Sequence, residues 1–194
     1  MILTNKQILE FLDDNYGKEQ QFVQLVSFKK NKNIVDQGKP NRFVYVIKEG
    51  IIKCSITEEN NKSYTLEFLG VGEIIGEIET LLKCKNLATI KSLTDCVLYK
   101  IEIDFFNKQL LNEPHFNHLL MVELARRLQK TAARASSQQL NTLQISLQNL
   151  LILLDEQKVN FKKSDLAEYL GITVRSLNRE LKNVLFPSKC INLS

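Results

Sequence analysis

The sequence predicts an α+β protein in three parts: a β-rich first half, one long helix and a compact helical end. Three observations carry this. Between residues 26 and 101, short runs of Val, Ile, Tyr and Phe alternate with turn signals. From Pro114 to about Gln139 there is neither Gly nor Pro, and the apolar stepping is helical. In the last 37 residues two short helical patterns flank Gly171. The 194 residues are 44% hydrophobic and 25% charged, with 3 Pro and 7 Gly, which excludes disordered and collagen-like chains.

Residues 4–15 read as a short helix. Thr4 or Asn5 can cap it, Ile8, Leu9 and Leu12 share a face, and Gly17 ends it. Strands follow at Asn33–Asp36, Phe43–Lys48, Ile51–Thr57, Ser63–Phe68, Glu73–Ile75, Ala88–Leu93 and Cys96–Ile101. Their punctuation is Gln37-Gly38, Glu49-Gly50, Asn60-Asn61 and Gly70-Val71-Gly72, and Asn60-Asn61 suits a hairpin because Asn tolerates a positive φ. Strands at this spacing make a sandwich or a barrel.

Pro114 fits the first turn of the long helix. Met121, Leu124, Leu128, Thr131, Ala135 and Gln138 step by three and four, a heptad seam that points to a paired helix in a homodimer. Ser136–Gln139 reads as a hinge, and a second helix carries Leu143, Leu147, Leu150, Leu151 and Leu154 on one face.

The final segment holds the chemistry. Residues 1–157 carry 19 basic and 19 acidic side chains, so the net charge of +4 sits wholly in residues 158–194. Ser164 can cap a helix bearing Leu166, Ala167 and Leu170; Gly171 supplies a left-handed turn; Thr173 can cap the next helix. On a helical wheel Leu177, Leu181 and Val184 share one side, and Arg175, Arg179 and Lys182 share the other. An apolar anchor opposite a basic face is the pattern of a helix that reads double-stranded DNA. Lys163, Ser164, Thr173, Ser176 and Asn178 complete the DNA-facing set.

Other classes find little support. Met1-Ile2-Leu3 leads into a polar run rather than a secretory signal. The uncharged stretch Ala135–Leu154 is half Ser, Gln, Asn and Thr, so no membrane partner is expected. Cys54, Cys84, Cys96 and Cys190 are scattered, which reads as free thiols in a reducing cytoplasm without a metal or iron–sulfur site. No nucleophile–base pair or carboxylate pair stands on a catalytic scaffold, so no enzyme is expected.

The residues resemble the Crp/Fnr family of bacterial transcription regulators over nearly the whole chain. The resemblance lies in Ile34-Val-Asp-Gln-Gly38, Val44-Tyr-Val-Ile-Lys-Glu-Gly50, Gly70-Val-Gly-Glu-Ile-Ile-Gly-Glu77 and Leu166-Ala-Glu-Tyr-Leu-Gly171. It implies a cyclic-nucleotide-binding-like β-roll sensor domain over 1–113, a dimerisation helix over 114–139 and a helix-turn-helix DNA-binding domain over 140–194. It also implies a homodimer on a near-palindromic operator, with RNA polymerase as a partner if the protein activates. The dimer contact would run through Met121, Leu124, Leu128, Thr131 and Ala135.

Two departures stand out. Members that bind cyclic nucleotides follow the Gly-Glu turn, here Gly76-Glu77, with an Arg-Ser/Thr-Ala cassette. The corresponding positions here are Asn86-Leu87-Ala88, with no Arg to fork onto a phosphate. A cyclic nucleotide is therefore not the expected effector; Lys83, Lys85 or Lys91 would have to substitute, and Gly72–Glu77 reads as a structural turn. Any small-molecule effector is expected between the roll and the long helix. The family's β-hairpin wing has only Phe186–Ser194 to form it, and Pro187 stops the helix. A shortened or missing wing favours the alternative reading, a sensor or interaction dimer that does not bind DNA. Arg175 stands where many members carry Glu, so the operator should differ from the common family consensus. His115 and His118 read as exposed helix-end residues rather than haem ligands.

Overall fold

The computed structural model describes residues 2–16, 21–157 and 161–183. Among the described residues, nine strands form two sheets. The first orders β1 (Ile2–Leu3), β6 (Ser63–Leu69), β5 (Ile52–Thr57), β8 (Thr89–Ser92) and β3 (Asn33–Val35). The second orders β2 (Val23–Phe28), β9 (Cys96–Glu102), β4 (Phe43–Glu49) and β7 (Ile74–Ile75). All pairings are antiparallel except β1 with β6. With the helices this is the α+β roll architecture the sequence implied.

The second sheet is covered on both faces, which explains the nearly unbroken apolar run of β4. Tyr45 and Ile47 face the first sheet, in a core with Ile52, Leu69, Ile90 and Leu98. Val44 and Val46 face the opposite way, among Ile8, Ile101, Phe106, Phe116 and Leu120. Ile101 belongs to β9; the others come from α1 (Lys6–Tyr16), α3 (Ile103–Asn112) and α4 (Pro114–Leu140). Period-two alternation with apolar residues at every position is the signature of a strand buried on two sides. Asn5 caps α1, its Oδ1 accepting from the Ile8 N–H at 3.2 Å.

Four elements escaped the sequence reading: β1, β2, α3 and the six-residue α2 (Glu77–Leu82). β1 has two residues, too few to show a period. β2 alternates exposed and half-buried positions along most of its length, so its apolar signal is weak. The hinge expected at Ser136–Gln139 is a correction. Those residues are helical, and α4 ends only at Asn141, whose backbone is extended. Thr142 then starts α5 (Leu143–Gln157), its Oγ1 accepting from the Ile145 N–H. Polar side chains on a helix surface do not break it when no Gly or Pro is present.

The helical end packs on the outside of the first sheet. In the β5–β6 ladder Phe68 lies directly opposite Lys53. Cross-strand partners share a face, and here that face receives α6 (Lys163–Leu170). Phe68 is fully buried against Phe161 and Tyr169, with ring centroids 4.5 and 5.5 Å away, in a cluster with Leu147, Leu150, Leu151, Leu154, Leu166 and Leu177. Beside it Lys53 Nζ meets Asp165 at 2.7 Å and Glu168 at 2.9 Å. Burial opposes the Lys53 charge, but the two carboxylates overrule it and hold its pKa above the ordinary value.

Phe68→Ala should therefore cost about 3–5 kcal/mol of unfolding free energy. Chemical denaturation would show this, and the loss should include an early transition of the helical end. A loss below about 1 kcal/mol would mean that the cluster does not join the two parts.

Candidate functional site

A cavity of about 690 Å³ lies between the roll and α4. Gly76, Glu77, Asn86, Leu87 and Ala88, singled out from the sequence, all line it. Gly76 has φ +85, and a Cβ there would come within 2.7 Å of the Phe43 carbonyl oxygen, so the turn into α2 requires Gly. The same turn places Glu77 in the cavity wall. Lys83, Lys85 and Lys91, offered as substitutes for the missing Arg, do not line the cavity. The cations come instead from α4, as Arg127, Lys130 and Arg134.

Sequence reasoning missed these three. Arg127 and Arg134 lie beside the seam, on the stripe Phe116, Leu120, Glu123, Arg127, Arg134 that faces the roll, while Lys130 is exposed. The four- and three-residue steps of that stripe were its only signal, and the charges hid it.

Arg127 is engaged on every side. Nη1 donates to Glu77 Oε1 at 2.5 Å and to the Ile74 carbonyl at 3.4 Å. Nε and Nη2 donate to Glu67 Oε2 at 3.2 and 2.9 Å. Burial pushes the Glu77 carboxyl up to about 7 although Arg127 pulls it down. Arg134 donates to the carbonyls of Leu66, Thr65 and Tyr169, and its guanidinium lies 3.7 Å from the Tyr169 ring centroid. Asn86 gives its side-chain amide to the Asp36 carbonyl. The Leu87 N–H donates to Glu79 Oε1 at 3.0 Å. Cys54, also in the wall, is buried, and burial pushes its thiol up to about 12, so it is a neutral wall atom.

Behind the cavity two carboxylates from different elements are buried together: Glu73 before β7 and Glu123 on α4. Asn5 Nδ2 and Arg126 Nη1 donate to Glu123 Oε2 at 2.6 and 3.0 Å. Burial and the neighbouring Glu123 charge push Glu73 up to about 8, against the pull of Arg127.

The seam residues run along α4 at the rim of the cavity, where Leu124, Leu128, Thr131 and Ala135 also line it. Met121 is 58% and Leu128 71% exposed, Thr131 and Ala135 are exposed, and Leu124 leans half-buried on the roll core. His115 and His118 are exposed.

At the helical end, Gly171 has φ +70 and joins α6 to α7 (Val174–Asn183). Thr173 Oγ1 accepts from the Ser176 N–H at 3.1 Å, the expected cap. Ser164 is a correction: α6 starts at Lys163 with Lys162 at its cap, so Ser164 lies within the first turn. Leu177 is fully buried and Leu181 half-buried beneath α7, while Arg175, Asn178, Arg179 and Lys182 are exposed. Ser176 is half-buried under the cap, and Lys163 is half-buried at the start of α6. Arg179 Nε meets the neighbouring Glu180 at 3.1 Å. Val184, Cys190, Pro187 and the wing segment 186–194 lie outside the described residues.

Residues 25–113 match the cyclic nucleotide-binding domain family. The chain is similar to regulators of the Crp/Fnr type. Its curated relatives include the global nitrogen regulator of Synechococcus elongatus, 23% identical over 132 residues, covering 67% of this chain and 60% of the relative. They also include the cAMP-activated global transcriptional regulator CRP of Haemophilus influenzae, 25% identical over 105 residues, covering 54% and 47%. The chain thus spans about half to three-fifths of the length of the relatives it matches. Among solved structures, the c-di-GMP responsive global regulator CLP of Xanthomonas campestris superposes with TM-score 0.78 at 17% identity, covering 92% of this chain and 91% of that one. A CRP-family transcriptional regulator from Thermus thermophilus gives 0.71 at 18%, covering 81% and 83%. These relatives are transcription regulators. Among the described residues no helix is long and apolar enough to cross a membrane.

The raised Glu73 pKa sets a sign for stability. An unfolded Glu titrates near 4.5 and the folded one near 8, so between these values the native state holds the extra proton. Stability should fall as pH rises from about 5 to about 8. Glu77, shifted the same way, adds to the fall. Glu73→Gln should shrink this pH dependence and raise Tm at pH 8 relative to wild type. Melting curves across that range test it; an unchanged slope in the variant would contradict the assignment.

Proposed function

We propose that the protein is a homodimeric, DNA-binding transcription regulator that reads a near-palindromic operator through α7. One observation supports this most: α7 carries Arg175, Arg179 and Lys182 exposed on one face while Leu177 anchors the opposite face. This is the arrangement that lets a helix enter the major groove without leaving its own domain. Arg175 lies in the first turn, the end that meets base edges, and its fork suits the N7 and O6 acceptors of guanine. Lys182, two turns on, meets phosphate. Lys163, Ser164, Thr173, Ser176 and Asn178 surround them and supply further backbone and base contacts.

Dimerisation runs through Met121, Leu128, Thr131 and Ala135, with Leu124 shared between the seam and the roll. An apolar side chain as exposed as Leu128, at the centre of a heptad, calls for a partner helix. The cavity bounded by Gly76, Glu77, Asn86, Leu87 and Ala88 is the effector site. Its α4 wall lets ligand contacts bias the position of that helix.

Selection of bound sites from random duplex DNA tests the reading. Wild type should select a two-fold operator. Arg175→Ala should lose about 1–3 kcal/mol of binding and relax one base pair per half-site. Lys182→Ala should weaken all sequences alike and lower the salt slope by about 1 per subunit. Wild type that selects nothing at low salt would favour the sensor dimer that does not bind DNA. Leu128→Arg should sediment as a monomer, because a buried seam does not tolerate an unpaired charge. A wild-type chain that stays monomeric at high concentration would sink the dimer.

A further inference from the structure

We propose that the cavity between the roll and α4 takes an uncharged, largely apolar small molecule in preference to an anion. The regulatory meaning of such a ligand rests on the effector reading above; its chemistry follows from the cavity wall alone.

Most of the donors that could seat a phosphate or carboxylate are already taken by the protein's own oxygens; the exceptions are Arg134 Nε and Lys130, which is exposed. Arg127 is held between Glu77 and Glu67. Arg134 spends both terminal nitrogens on main-chain carbonyls and its face on Tyr169. At the cassette turn, the Leu87 N–H is filled by the carboxylate of Glu79 and the Asn86 amide by the Asp36 carbonyl. An incoming anion would meet carboxylates where it needs donors. Seating it would require breaking a buried ion pair and leaving one member uncompensated, which costs more than the new contact returns. The charged wall residues, three cations and three carboxylates, balance.

The rest of the wall is apolar. Leu66, Ile78, Ala88 and Leu124 line the interior, and Leu87 and Leu128 stand 54% and 71% exposed at its edge. The volume lies within the range of sites for small organic ligands. Leu87 presents an apolar side chain at the turn whose N–H Glu79 already fills.

The test uses the full chain and Nile red, an uncharged dye that fluoresces in apolar sites. Wild type should bind it saturably, one per chain, and neither cyclic AMP nor inorganic phosphate at millimolar concentration should displace it. Leu87→Glu, at an exposed position that folding tolerates, should weaken the dye about tenfold or more by placing a charge at the mouth. Its melting curve should match wild type. Absence of saturable binding, undiminished binding by Leu87→Glu, or calorimetric binding of cyclic AMP at micromolar concentration would each overturn the proposal. None of these readouts involves DNA, so failure of operator selection and failure of this ligand assignment are separate results.

Discussion

The placement of Arg127 governs the rest of the molecule. One guanidinium on α4 reaches Glu67 on β6, Glu77 at the start of α2 and the carbonyl of Ile74 on β7. Three elements of the roll are thereby tied to one point of the long helix. An arginine this buried is sustained only by complementary partners on all sides. Because Glu67 and Glu77 supply them, the helix has one favoured register on the roll. The same neutralisation leaves Arg127 unavailable to a ligand in the cavity.

A second arginine extends the connection. Seven residues along α4, Arg134 joins β6 carbonyls to the Tyr169 carbonyl and ring of α6. Lys53 with Asp165 and Glu168, and Phe68 with Phe161, hold the same two parts together from the sheet side. The cavity wall, the long helix and the helix-turn-helix thus share side chains.

Much of this was legible beforehand, for physical reasons. β4 declared itself through a run of apolar residues long enough for a strand buried on both faces. Gly171 and Thr173 declared the helix-turn-helix because few residue types serve a left-handed turn and a cap. The cassette positions 86–88 were placed on the cavity, and their lack of an Arg was visible. What stayed hidden was the roll-facing stripe of α4. Glu123, Arg127 and Arg134 are charged, and charge on a helix ordinarily marks a solvated face. Only the tertiary fold supplies Glu67, Glu77 and the Leu66, Thr65 and Tyr169 carbonyls that let them be buried. The apolar seam one step around the helix carried the stronger pattern. The Ser136–Gln139 hinge failed for the converse reason: polar composition imitates a linker, while the backbone simply remains helical to Leu140.

The account turns on the claim that Arg127 and Glu77 hold the helix to the roll as a coupled pair. A double-mutant cycle with Arg127→Met and Glu77→Gln, read by the unfolding free energy, measures that coupling directly. The account predicts a coupling of about 1–3 kcal/mol, with the double variant more stable than the sum of the single losses implies. Additive losses, with a coupling near zero, would contradict it.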